Sequence, residues 1–123
     1  SVAAALEFAV KTLGIEQIIV CGHTDCGGMK ALNSGLDNTD FGNINDWLQY
    51  AHPVLQKVSD DQNDRVDSMI KQNVLLQKSN LLSYPFIKER YNGGALEIHP
   101  WLYDLDKGHI LTYTYSTNRW EPI

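Results

Sequence analysis

The run Gln17-Ile18-Ile19-Val20 leads directly into Cys21-Gly22-His23-Thr24-Asp25-Cys26-Gly27-Gly28. The apolar residues do not alternate with polar ones, and Gly14 and Gly22 bound them. That pattern reads as a parallel strand covered on both faces. Before it, Val2, Leu6, Ala9, Val10 and Leu13 recur at helical spacing. This predicts a helix over residues 1–13, with Ser1 as its N-cap and Gly14 at the position after its C-cap. After the loop, Met29 to Leu32 reads as a short helix. Helix, buried strand, glycine-rich loop and helix is the order of an open α/β sheet. Ligands in such sheets sit beyond the carboxyl ends of the strands, which is where this loop lies.

The loop carries the chemistry. His23 and Cys26 stand three residues apart. Imidazole nitrogen and thiolate sulfur are both donors that tetrahedral zinc accepts. The glycines are expected to let the backbone turn tightly, so that both side chains meet one ion. Cys26 opens the following helix, where the helix dipole favours a thiolate. Two ligands do not complete a site, so at least one more must come from elsewhere. Three other readings compete: a chance H-x-x-C, a redox pair of Cys21 and Cys26, and Cys21 as a small buried hydrophobe. Cys21 is expected to point away from the site of His23.

The chain has 123 residues, which favours one domain over 1–123. Its hydrophobic fraction of 43% against 20% charged argues for a packed core rather than disorder. The net charge of −5 disfavours nucleic acid and an anionic membrane surface as partners. No apolar run approaches the roughly 18 residues that cross a bilayer. Two cysteines do not make a disulfide scaffold. A reducing compartment is therefore expected: the cytoplasm, or a stroma or matrix in a eukaryote. The opening SVAAALEFAV has no basic segment of a signal peptide and no Met, and it starts within a helical pattern. The expectation is the second part of a longer chain.

Further along, residues 33–42 read as a polar loop. An apolar stripe from Ile44 through Trp47, Leu48, Ala51, Val54, Leu55 and Val58 reads as a helix interrupted or restarted at Pro53. A long helix is predicted over 64–82 and a short one over Pro85 to Tyr91, closed by Gly93-Gly94. Ala95 to His99 reads as a strand reaching to about Tyr103. Ile110 to Tyr115 reads as an antiparallel edge strand beside it. The result is an α/β chain of about three strands and five helices. One edge of the Ile18–Val20 strand is expected to lack a neighbour within this chain, which is a liability unless another strand or chain covers it.

Together these segments resemble the β-class carbonic anhydrases. ALEFAVKTLGIEQIIVCGHTDCGGMKAL is similar to that family's helix and strand followed by C-G-H-[ST]-x-C-G-[GA]-M-x-A. Asn73-Val74-Leu75-Leu76-Gln77 with Asn80-Leu81 resembles its N-V-x-x-Q-x-x-N-L helix. Gly94-Ala95-Leu96-Glu97-Ile98-His99-Pro100-Trp101-Leu102-Tyr103-Asp104, with Gly108, resembles its last hairpin. The resemblance implies a mainly parallel open sheet with flanking helices and a C-terminal antiparallel edge strand, lacking its first strands. It implies a zinc enzyme that interconverts carbon dioxide and bicarbonate, with hydroxide on the metal attacking CO2. It implies a homo-oligomer, dimeric or tetrameric, and by position it makes His23 and Cys26 two of three protein ligands of Zn2+.

The departures are specific. The family's first cysteine, with the aspartate and arginine that pair beside the metal, lies in an upstream C-x-D-x-R segment. No such segment occurs here, so no catalytic Asp-Arg pair can be named in this chain. Cys21 matches a position that is not a ligand. Pro100 stands where the family usually has glycine. Three explanations follow: a fragment of an active enzyme, a catalytically silent homologue serving as an interaction or structural domain, or a site completed by an unexpected ligand or a neighbouring chain.

The other candidates have simpler readings. His52 reads as a surface or packing histidine, His99 as a structural hydrogen-bonding group and His109 as solvated. Asp25 reads as a loop hydrogen-bonder. Asp60, Asp61, Asp64 and Asp67 lack calcium-loop spacing and read as a solvated helix start. Trp47, Trp101 and Trp120 read as core or interface anchors. The Tyr113–Tyr115 stretch and the tail through Trp120 could pack on a partner subunit.

Overall fold

The computed structural model describes residues 1–35, 42–61 and 63–123. The middle of the expected 33–42 loop therefore lies outside the described residues. The chain begins with α1 (Val2–Glu7), which continues as a π-helical stretch, Phe8–Thr12. There Leu13 N–H donates to the Phe8 carbonyl at 3.1 Å. Gly14 ends the segment at φ +63°, a conformation that costs glycine least. Ser1 is the N-cap residue but makes no side-chain capping bond.

Strand β1 (Gln17–His23) follows, then α2 (Gly27–Asn33) and α3 (Gly42–Leu48). A 3-10 stretch, Gln49–Gln56, takes the chain through Pro53. Proline has no N–H for an α-helical bond and crowds the preceding turn, so the α-helix ends before it. Then come α4 (Arg65–Leu81) and α5 (Pro85–Asn92), which starts on a proline that suits a first helical turn. The chain ends in β2 (Glu97–Asp104), β3 (His109–Thr114) and β4 (Arg119–Pro122).

Among the described residues the strands form one mixed sheet in the order β1-β2-β3-β4. The β1–β2 pairing is parallel, from Gln17 opposite Glu97 to His23 opposite Tyr103. The β2–β3 and β3–β4 pairings are antiparallel. Ile110–Tyr115, expected at the edge, has neighbours on both sides because Arg119–Pro122 adds a fourth strand beyond it. Trp120 on that strand packs against this chain's own core and lies 5.4 Å from the Tyr113 ring.

The core lies on one face of the sheet. Val10, Ile87, Leu96 and Ile98 form one cluster, with Ile18 and Val20 against it. Met29, Leu32, Ala51, Val54, Met69, Ile70 and Leu102 form the other. Burying a side chain of this size stabilises by about 1.5–3 kcal/mol before entropy is counted. Exposure alternates strictly along β1. The expectation of cover on both faces therefore fails in this chain. Ile18, Val20 and Gly22 face the helices, while Gln17, Ile19, Cys21 and His23 face outward. An apolar run without alternation marks a strand meant for burial but does not say what buries it.

Pro100 sits in β2 without breaking the β1 ladder. Glu97 N–H donates to the Glu16 carbonyl at 2.9 Å. Backbone groups alternate sides along a strand, so residue 100 points its backbone toward β3. There the pairing begins only at Trp101 opposite Thr112, and the Pro100 carbonyl accepts from the Thr112 hydroxyl at 3.3 Å.

Candidate metal centre

His23 is the last residue of β1, and Cys26 is the N-cap residue of α2. The two flank a two-residue turn at the carboxyl end of the strand. His23 Nδ1–H donates to the carbonyl of Thr24 at 2.8 Å. That bond fixes the tautomer and leaves the Nε2 lone pair available to a Lewis acid, as in histidines that bind metals. Cys26 is half-buried against the cluster around Met29 and Leu32, and its thiol is free.

The turn is tied down at both ends. Thr24 N–H donates to the Tyr103 carbonyl at 3.0 Å, and the Thr24 hydroxyl accepts from Leu105 N–H at 2.9 Å. Cys26 O accepts from Lys30 N–H at 3.0 Å, which starts α2. Sequence reasoning passed over Thr24. The only local signal was a hydroxyl beside the histidine, and its partner lies in a hairpin 81 positions away.

The glycines act differently from expectation. The left-handed residue of the turn is Asp25, at φ +55°, which aspartate tolerates better than most side chains. Gly22 is needed for packing instead. A Cβ there would lie 2.6 Å from Val74 Cγ2, so α4 can approach β1 only over a glycine. Gly28 meets only ordinary contacts, the nearest being Leu48 Cδ2 at 3.5 Å.

Asp25 is a loop hydrogen-bonder, as read. It pairs with Lys30. The hydrogen bond from Lys30 and then the charge of Lys30 hold the Asp25 carboxyl below its ordinary range, with a smaller contribution from nearby His23. Cys21 departs from expectation. It lies on β1 two residues before His23, and both are exposed. Side chains on a strand repeat every second residue, so Cys21 shares a face with His23 rather than pointing away.

The remaining candidates lie outside the turn. His52 and His109 are exposed. His99 is half-buried, hydrogen-bonds Gln17 Oε1 and lies 3.5 Å from a Glu97 carboxyl oxygen, a structural role. Asp60 pairs with Arg65 at 3.5 Å and Asp67 with Lys71 at 2.9 Å. Among the described residues no group of three or more His, Cys, Asp or Glu side chains converges as a metal site. The donor set is thus one imidazole and one sulfur. It is the kind that zinc takes, but it is one protein ligand short of a catalytic zinc site.

Comparison with known proteins gives a consistent result. The family model described as carbonic anhydrase matches residues 1–110. A carbonic anhydrase of Synechococcus elongatus is 36% identical over 121 residues, covering 94% of this chain and 44% of that protein. The structure of the β-carbonic anhydrase CcaA superposes with a TM-score of 0.87 at 33% identity, covering 98% of this chain and 57% of that one. A tetrameric β-carbonic anhydrase from Sordaria macrospora matches with a TM-score of 0.77 at 28% identity, over 90% of this chain and 58% of that one. The chain therefore spans about half the length of these relatives. The order of elements, the histidine–cysteine turn after β1 and these likenesses agree: the chain belongs to the β-carbonic anhydrase family.

Proposed function

We propose that the protein to which this chain belongs catalyses the reversible hydration of carbon dioxide to bicarbonate and a proton, with zinc held in part by His23 and Cys26. The observation that carries this reading is the His23 Nδ1–H bond to the Thr24 carbonyl, which leaves Nε2 as a metal donor beside the Cys26 cap. A bound zinc supplies Lewis acidity, which lowers the pKa of a coordinated water toward neutrality. Thr24 holds the imidazole in orientation through its carbonyl, while its own N–H and hydroxyl anchor the turn to the end of β2. Lys30 engages Asp25 and keeps that carboxylate directed at α2. The third protein ligand and the Asp-Arg pair must be supplied from outside the described residues. The Sordaria relative is tetrameric, which supports a homo-oligomer here. Two free thiols support a reducing compartment, the cytoplasm or a stroma or matrix.

The test combines zinc content, intact mass and CO2 hydration on the purified protein. About one zinc per chain is expected, and His23→Ala or Cys26→Ser should each remove the metal and the activity together. The alternative is a catalytically silent homologue acting as an interaction or structural domain. A full-length protein that folds but carries neither zinc nor hydration activity would establish that alternative.

A further inference from the structure

We propose a second site, for a small organic carboxylate with an apolar body, in the hollow between α4, α5 and the turn after β3, with Lys78 as its cationic contact. The inference does not rest on the zinc reading, since the hollow shares no residue with the His23–Cys26 turn. Lys78 is 7% exposed, and it is the only charged side chain among the described buried residues. Its Nζ lies 4.4 Å from the centroid of the Tyr115 ring and 5.5 Å from that of Tyr91. Aromatic faces attract an ammonium, but they do not neutralise it. Among the described residues no carboxylate lies within ion-pair distance of Lys78, and no oxygen accepts a hydrogen bond from it. Every fully buried side-chain polar atom among the described residues has a hydrogen-bond partner. The unpaired Nζ is therefore not sealed in the core and remains accessible from the adjoining hollow.

That hollow measures about 340 Å³ and is lined by Leu75, Lys78, Ser79, Leu82, Tyr91 and Tyr115. The volume is at the small end of ligand sites, enough for a molecule about the size of benzoate. The chemistry of the lining selects the ligand. One fixed positive charge calls for one negative charge. Among the described residues the hydroxyls of Ser79, Tyr91 and Tyr115 make no side-chain hydrogen bond, and they can donate to carboxylate oxygens. Leu75, Leu82 and the two rings offer apolar surface to the rest of the molecule. A compact dianion such as phosphate would leave that apolar surface unused and half its charge unmatched.

The test is a titration of the isotope-labelled protein with benzoate and, separately, with benzamide, its neutral isostere. Benzoate should bind with millimolar affinity and shift backbone amide signals at residues 75–82, 91 and 115, with benzamide at least about tenfold weaker. Lys78→Met should weaken benzoate by about the same factor while leaving thermal unfolding cooperative, and Tyr115→Phe should weaken it less. Shifts at the His23–Cys26 turn alone would place the anion at a metal and overturn the proposal. Equal binding of benzoate and benzamide, unchanged binding by the Lys78 variant, or no binding up to about 20 mM would also overturn it.

Discussion

His23 shows how far one residue can be read in isolation. Its type and its spacing from Cys26 were enough to name it as a donor, because imidazole and thiolate chemistry belong to the side chains themselves. Its tautomer was not legible, since that depends on a carbonyl one residue on and on the way Thr24 is tethered to β2. Asp104 gives the pH prediction at this scale. Its carboxylate accepts from Asp106 N–H and Lys107 N–H, each at 3.0 Å, in the turn between β2 and β3. The Lys107 bond, then the Asp106 bond and the neighbouring His109 and Lys107 charges, hold its pKa below the ordinary 3.8. A depressed folded pKa means the unfolded chain binds the proton more tightly. The contribution is therefore complete above the ordinary value and disappears as pH falls through the depressed one. Asp104→Asn should lower the unfolding temperature at pH 6, and the gap from the parent protein should shrink toward pH 3. A gap of the same size at both values would show that the carboxylate charge contributes nothing.

Elements were legible where their period was long. Helix α4 and strand β2 lie close to where the spacing of apolar residues put them, because periodicity over many residues averages out single exceptions. Strand β4 was missed, since Arg119–Pro122 offers too few positions for any period and the tight turn before it depends on Asn118 at φ +54°. The contact between β1 and α4 was hidden for another reason. Gly22 read as the boundary of the strand and part of a tight turn, yet it is a strand residue whose missing side chain admits Val74. Gly22→Ala should destabilise by about 1–3 kcal/mol through overpacking, and adding Val74→Ala should recover part of that loss. Urea denaturation of the single and double variants measures both effects. Full additivity of the two losses would mean that the close approach is not the cause.

At the scale of the whole molecule, β1 stands at the edge of the sheet that the described residues form, and its outward face carries Ile19 at 50% exposure, opposite half-buried His99. An unpaired edge of this kind is open to strand addition from another chain. The 123-residue chain alone should therefore associate as its concentration rises, and Ile19→Lys should suppress that association without unfolding the chain. Light scattering across a dilution series decides this, and equal association of both proteins would clear Ile19 of the effect. The sequence by itself determined the α/β class, the order of most elements and the histidine–cysteine turn, because helical and strand periods and donor chemistry are local properties of the chain. The tertiary structure alone decided which face of β1 is covered, that β3 is an inner strand, and that Lys78 lies against two tyrosine rings. Each of these depends on a partner from a distant part of the chain, and no local pattern encodes which partner arrives.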